Sequence, residues 1–85
     1  MTLLYFAWVR ERIGLDEERI ALPADVRDVG GLLAWLKTRG SGYAQALEKP
    51  EAIRVAVNQE HVKAEASVKD SDEVALFPPV TGGRS

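Results

Sequence analysis

One stretch of the chain carries a helical stripe that is hard to read any other way. Val29, Leu32, Leu33 and Leu36 fall at i, i+3, i+4 and i+7, so their side chains share one face of a helix. Asp25 is placed to cap it, and Asp28 puts a carboxylate in the first turn, where the helix dipole favours one. Lys37 and Arg39 lie in the expected last turn, and Gly40 can close it. Gly30-Gly31 runs against the pattern, at about 1 kcal/mol per glycine relative to alanine; close packing against a sheet is one reason to keep them. A helix with a single apolar stripe needs an apolar surface opposite it. In this chain that surface has to come from strands.

Thr2 to Val9 mixes aliphatic, aromatic and β-branched residues and reads as a strand used on both faces. Arg10 to Gly14 reads as a short turn or helical piece closed by glycine, and Arg19 to Leu22 as a second strand stopped by Pro23. Ser41-Gly42 breaks the chain, and Tyr43 to Glu48 forms a short helical turn before Pro50. Ile53, Val55 and Val57 alternate with Arg54 and Ala56, the pattern of a half-buried strand. Asn58-Gln59 reads as a turn, His61 to Lys63 as a short strand, Lys69 to Asp72 as a polar turn, and Glu73 to Phe77 as the last strand. The expected order is β-β-α-β-β-β. One helix over one face of a small mixed sheet is an α+β arrangement of the ubiquitin-like, β-grasp type. The expected division is a domain over residues 1–79 and a flexible tail over 80–85 carrying Gly82-Gly83.

Strand alternation then says what the uncovered face holds. Val74 and Leu76 point to the helix, leaving Ala75 and Phe77 outward. In the first strand Leu3, Tyr5 and Ala7 share one face, and Leu4, Phe6 and Trp8 the other. Both faces are apolar, yet only one main helix is available. Either a patch around Phe6 and Phe77 docks a protein, or the Tyr43 to Leu47 turn covers it as a second small core.

Composition removes most other chemistries. With 85 residues there is room for one domain, and a net charge of -2 gives no basic field for nucleic acid. The absence of cysteine removes disulfides, thiolate nucleophiles and sulfur-bound zinc, and suits a reducing compartment. The apolar run at the N-terminus is too short to span a bilayer, and its positive charges follow it, the reverse of a signal peptide, so a cytoplasmic location is expected. His61 is the one histidine and has no partner for a metal site. The serines lie in turn-like surroundings; Asp16 to Glu18 and Asp70 to Glu73 could be mistaken for cation sites, but the second lacks the spacing of a calcium loop and reads as a solvated turn. Self-contained catalysis is not expected.

The end of the chain, FPPVTGGRS, is different. Pro78 and Pro79 cannot donate ladder hydrogen bonds, so they end the last strand and favour stiff, extended geometry beyond it. Val80 to Gly83 reaches at most about 13 Å, with no side chain on the last two residues. Such a tip can thread a narrow channel and deliver a carboxylate.

The stretch DSDEVALFPPVTGG resembles the C-terminal signature of the small-subunit family of molybdopterin synthase, the MoaD sulfur carriers. YFAWVRERIG is similar to that family's first strand and turn, and VAVNQEHV to its central strand and turn. The likeness spans residues 1–83. It implies a β-grasp fold and a reaction cycle at Gly83. An E1-like enzyme uses ATP and magnesium to adenylate the Gly83 carboxylate, and a sulfur donor protein converts it to a thiocarboxylate. The tail then enters the large synthase subunit, in a heterotetramer of two small and two large subunits, and sulfur passes to a cyclic pyranopterin precursor. No cofactor is expected on the carrier itself. The resemblance assigns partner contacts to Phe6, Arg10, His61, Phe77, Pro78, Val80, Thr81 and Gly82. His61 stands where the family often has an aliphatic residue, and Ser71 where glycine is common. Arg84-Ser85 is a departure, either removed by a protease or foreign to the native chain, because Gly83 in peptide linkage has no free carboxylate. Two rivals share the ending: a carrier serving thiamin, cysteine or tRNA thiolation, and a ubiquitin-like binding module that is never activated.

Overall fold

The computed structural model describes residues 1–79. Five strands form one sheet: β1 (Thr2–Tyr5), β2 (Glu17–Arg19), β3 (Arg54–Val57), β4 (Glu60–Val62) and β5 (Glu73–Phe77), in the order β2-β1-β5-β3-β4. The two central strands, β1 and β5, run parallel, with Thr2 opposite Glu73 and Tyr5 opposite Leu76. All other pairs are antiparallel. Three helices, α1 (Ala7–Ile13), α2 (Val29–Lys37) and α3 (Ser41–Ala46), complete the fold with a 3-10 turn at Pro50–Ala52. This is the mixed-sheet α+β arrangement expected of a β-grasp domain, with more helix than the sequence suggested.

The core lies on one side of the sheet. Leu3 and Tyr5 of β1, Val55 of β3, and Val74 and Leu76 of β5 face Val29, Leu32, Leu33 and Leu36 of α2, so the apolar stripe buries as expected. Val9 of α1, with Ala46 and Leu47 at the end of α3, fills the same cluster. Leu3, Val9, Leu32, Leu36, Leu47, Val74 and Leu76 are fully inaccessible.

Several local expectations are corrected. The first strand ends at Tyr5, not Val9: Ala7 has φ 55°, which swings the chain out of the sheet, and residues 7–13 wind into α1 with Phe6 at its N-cap. An apolar run of eight residues has no period that separates strand from helix. Trp8 therefore lies on α1 beneath the Arg12 guanidinium, 4.4 Å from its ring centroid, and not on the outer sheet face. The second strand is Glu17–Arg19, earlier than Arg19 to Leu22. Asp28, not Asp25, caps α2, its Oδ1 accepting from the Gly31 amide at 2.7 Å. The helix ends at Thr38 and not at Gly40, which instead precedes α3. Ser41-Gly42 does not break the chain but opens α3. Gly42 is required there, since a Cβ on it would meet the Arg12 carbonyl oxygen of α1 at 2.6 Å.

One acidic side chain ties these elements together. Glu18 stands opposite Leu3 on the core side of the sheet. Its Oε2 accepts from the hydroxyls of Tyr5 and Tyr43, each at 2.6 Å, and its Oε1 pairs with Arg39 at 3.0 Å. Burial alone would raise the Glu18 carboxyl, but hydrogen bonds from Tyr43, Tyr5 and Arg39 outweigh it and hold the group below its ordinary value of 4.5. Burial and the same carboxylate push both tyrosine hydroxyls up. Just before β5, Asp72 is buried and accepts from Asn58 Nδ2 at 3.0 Å and the Lys69 amide at 2.9 Å. Asn58 and Gln59, at φ 51° and 71°, make the tight β3–β4 turn, and Asn58 Oδ1 also accepts from the Glu73 amide.

These contacts give two checks by urea denaturation. Gly30→Ala adds a Cβ that meets only ordinary contacts, 3.5 Å from the Ala64 carbonyl oxygen, so it should gain up to about 1 kcal/mol. Gly42→Ala should instead cost about 2 kcal/mol or more, because α1 and α3 must separate. Glu18→Gln tests the hub by pH. A depressed carboxylate contributes stability above its unfolded value and loses it on acidification through the folded one. The wild type should therefore lose stability below about pH 4.5, and the variant should be weaker near neutrality and flatter in acid.

Candidate functional site

Among the described residues, no helix covers the other side of the sheet. The register sets Leu4, Ala75, Ala56 and His61 in one row across β1, β5, β3 and β4. In the next row Phe77 lies opposite Arg54, and the His61 ring meets Phe77 edge-on, with centroids 5.5 Å apart at 86°. Ala56 is buried yet stands outside the core cluster, consistent with its place in the middle of this face. The Phe6 amide donates to the Leu76 carbonyl oxygen, which brings Phe6 alongside the end of β5. Phe6 is 48% exposed, an unusual state for a phenylalanine. Glu17, opposite Leu4, and Arg54, opposite Phe77, put charge at two sides of the apolar row. An apolar centre with a charged rim is the composition of a protein-docking surface.

The alternative cover for this face is ruled out. Tyr43 to Leu47 belongs to α3, which packs on α1 and α2 on the helical side; Leu47 is inaccessible there and Tyr43 reaches Glu18. No second small core forms, and among the described residues nothing covers Leu4, Ala75 and Phe77 from outside.

Of the expected contact residues, the fold brings Phe6, His61 and Phe77 to one end of this face, with Pro78 next in the chain. Arg10 is exposed on α1, where it lines a shallow recess with Gly14, Leu15 and Asp16 instead of joining the His61–Phe77 pair. Val80, Thr81, Gly82 and Gly83 lie outside the described residues. The sequence reading overlooked Arg54 as a rim group, which β3–β5 register alone reveals, and Leu15, which is 43% exposed just after the αL glycine at the end of α1.

His61 is exposed and packs its ring on Phe77, and among the described residues no cluster of three metal-ligating side chains exists. An open apolar face of this kind suits contact with another protein. β5 is paired with β1 as far as Leu76 and with β3 as far as Phe77, and the two prolines follow immediately.

Fold and face together define a ubiquitin-like β-grasp domain that, among the described residues, leaves an apolar sheet face open beside the end of β5. The chain belongs to the ThiS family, which it matches over residues 3–83. It is 42% identical over 83 residues to the molybdopterin synthase sulfur carrier subunit of Haemophilus influenzae, covering 98% of this chain and 99% of that protein. It is 42% identical over 81 residues to the molybdopterin synthase sulfur carrier subunit of Escherichia coli, covering 95% and 96% respectively. A solved structure from Pyrococcus furiosus, named for subunit 1 of molybdopterin converting factor, is 32% identical with a TM-score of 0.74, over 93% of this chain and 95% of that one.

The two faces predict opposite mutational costs. Leu76→Ala, on the core side, should lose about 2–5 kcal/mol in chemical denaturation. Phe77→Asp, one residue on and facing out, should lose about 1 kcal/mol or less. Equal losses would mean that Phe77 is part of the core.

Proposed function

We propose that this protein is the sulfur-carrier subunit of molybdopterin synthase. The observation that carries the reading is 42% identity across nearly the whole length of two relatives that bear that name. The bare apolar face beside the C-terminal exit supports it, since a carrier must be recognised by several partners while contributing no catalytic group.

In this reading the Gly83 carboxylate attacks ATP in an E1-like partner, with magnesium, releasing pyrophosphate and forming an acyl adenylate. AMP is a far better leaving group than oxide, so a sulfur nucleophile from a donor protein displaces it and leaves a thiocarboxylate. The domain then docks on the large subunit through Phe6, His61 and Phe77, with Pro78 to Gly82 following into the active site. Sulfur passes to a pyranopterin precursor, and two transfers supply a dithiolene. The absence of cysteine agrees with this division, because the transferable sulfur rides on the chain terminus. The setting is cytoplasmic; no helix among the described residues is long and apolar enough to cross a membrane.

Calorimetric titration with the large subunit tests the assignment. A chain ending at Gly83 should bind, and Phe77→Asp should weaken binding at least tenfold, about 1.4 kcal/mol. Gly83→Ala in the same chain should cut sulfur transfer at least tenfold without loss of fold. A chain that accepts sulfur but ignores the large subunit would belong to another sulfur pathway, and unchanged affinity of Phe77→Asp would remove that residue from the docking face.

A further inference from the structure

We propose that the protein holds a second binding site, a cleft between α2 and β4 that takes a small amphipathic anion, a carboxylate on an aliphatic body. This goes beyond the carrier reading and stands without it. The cleft has a volume of about 470 Å³, and small-molecule sites run from roughly 300 to 1,000 Å³. Gly30, Leu33 and Ala34 of α2 form one wall, Val62 and Ala64 the other, and Ile53 and Val55 lie between them. Leu33, Ile53 and Val55 are buried and Val62 is half-buried, so the interior is hydrocarbon. Leu33 and Val55 also belong to the core, so the cleft opens on the helical side of the sheet, apart from Leu4, Ala75 and Phe77.

Shape and charge together select the occupant. At one end the two walls are tied to each other: the Gly30 amide donates to the Ala64 carbonyl oxygen and the Val29 amide to that of Ala66, each at 2.9 Å. At the other end, between Lys37 and Pro50-Glu51, no backbone hydrogen bond joins the walls among the described residues. A recess stitched at one end suits a single short body entering from the other, and not a chain that lies through it. Lys37, Arg54 and Lys63 line the cleft against one acid, Glu51. In a chain of net charge -2 this is a local reversal of sign. Lys37 stands on the helix wall and Lys63 on the facing one, and neither forms an ion pair among the described residues. Each ammonium, on a long flexible stem, can reach a headgroup held at the surface while the hydrocarbon behind it is buried. A neutral hydrocarbon would leave both cations unmatched, and a cationic one would be repelled.

Sodium octanoate, titrated into the isotope-labelled full chain and followed by amide NMR shifts, tests the site. Binding should saturate with a Kd below about 1 mM, moving the amides of Gly30, Ala34 and Ala64 but not those of Leu4, Ala75 and Phe77. Octylammonium, of equal length and opposite charge, should bind about tenfold more weakly or worse. Ala34→Phe fills the cleft from an exposed position on α2 and should weaken octanoate by about tenfold or more. Lys37→Glu combined with Lys63→Glu should do the same; neither lysine is buried, so this variant keeps the test open if Ala34→Phe folds poorly. Octanoate that fails to saturate, or that moves the outer-face amides instead, would overturn the site, as would parental affinity in a folded Ala34→Phe. Equal binding of octylammonium, or of octanoate by the doubly reversed variant, would overturn the assignment of an anion.

Discussion

The parallel pairing of β1 with β5 joins the first strand of the chain to the last, and the other elements are arranged around it. A parallel pair cannot be closed by a tight turn, so everything between Tyr5 and Glu73 forms the connection, and all its helices pack on one side. β2 and β3–β4 extend the sheet outward from this pair. Since both central strands run the same way, β5 ends where β1 ends. The last ladder residue, Phe77, comes to lie beside Phe6, and the C-terminal exit shares one end of the sheet with the exposed aromatic groups.

The same constraint explains the asymmetry of the two faces. Three helices on one side supply enough apolar surface for a core with no cover left over for the other. Glu18 secures that side by drawing Tyr5, Tyr43 and Arg39 onto one carboxylate, which links β1, β2, α3 and the end of α2. The hub is partly buried, with the Glu18 side chain 13% exposed and that of Arg39 31%, and all three partners of the carboxylate come from the protein itself. The outer face has the opposite character. Its side chains are small or aromatic, with single charges at the margins, and its central alanines let a partner approach the sheet closely.

For a carrier these two faces divide the work. Chemistry at the chain terminus needs a reach of a few residues and no side chains, which a glycine pair beyond two prolines supplies. Identity has to be read elsewhere, because a tip without side chains looks alike in every carrier that ends in glycine. In the function proposed above, the apolar face at the end of β5 is where enzymes acting on the terminus in turn would distinguish this carrier from others. Strength of docking there is limited by a different need, since each partner must release the carrier to the next.

Much of this was legible in the residues alone. The stripe from Val29 to Leu36, the alternation of Val74 and Leu76 with Ala75 and Phe77, and the Asn58-Gln59 turn are local patterns with a fixed period or a fixed backbone requirement. They determined the main helix, the last strand and which way Phe77 points. What tertiary structure decided is where no period exists or where charge depends on distant partners. The apolar run from Thr2 to Val9 divides into strand and helix only because β5 pairs with its first half. Nothing local marks Glu18 as a hub; two tyrosines, 13 and 25 residues away along the chain, close on it. Gly42 looks like a chain breaker until α1 passes within 2.6 Å of where its side chain would be. Whether the outer face stayed open turned on the placement of Tyr43 to Leu47, and the Glu18 hydrogen bond that draws Tyr43 to the helical side is a contact between segments that no local window contains.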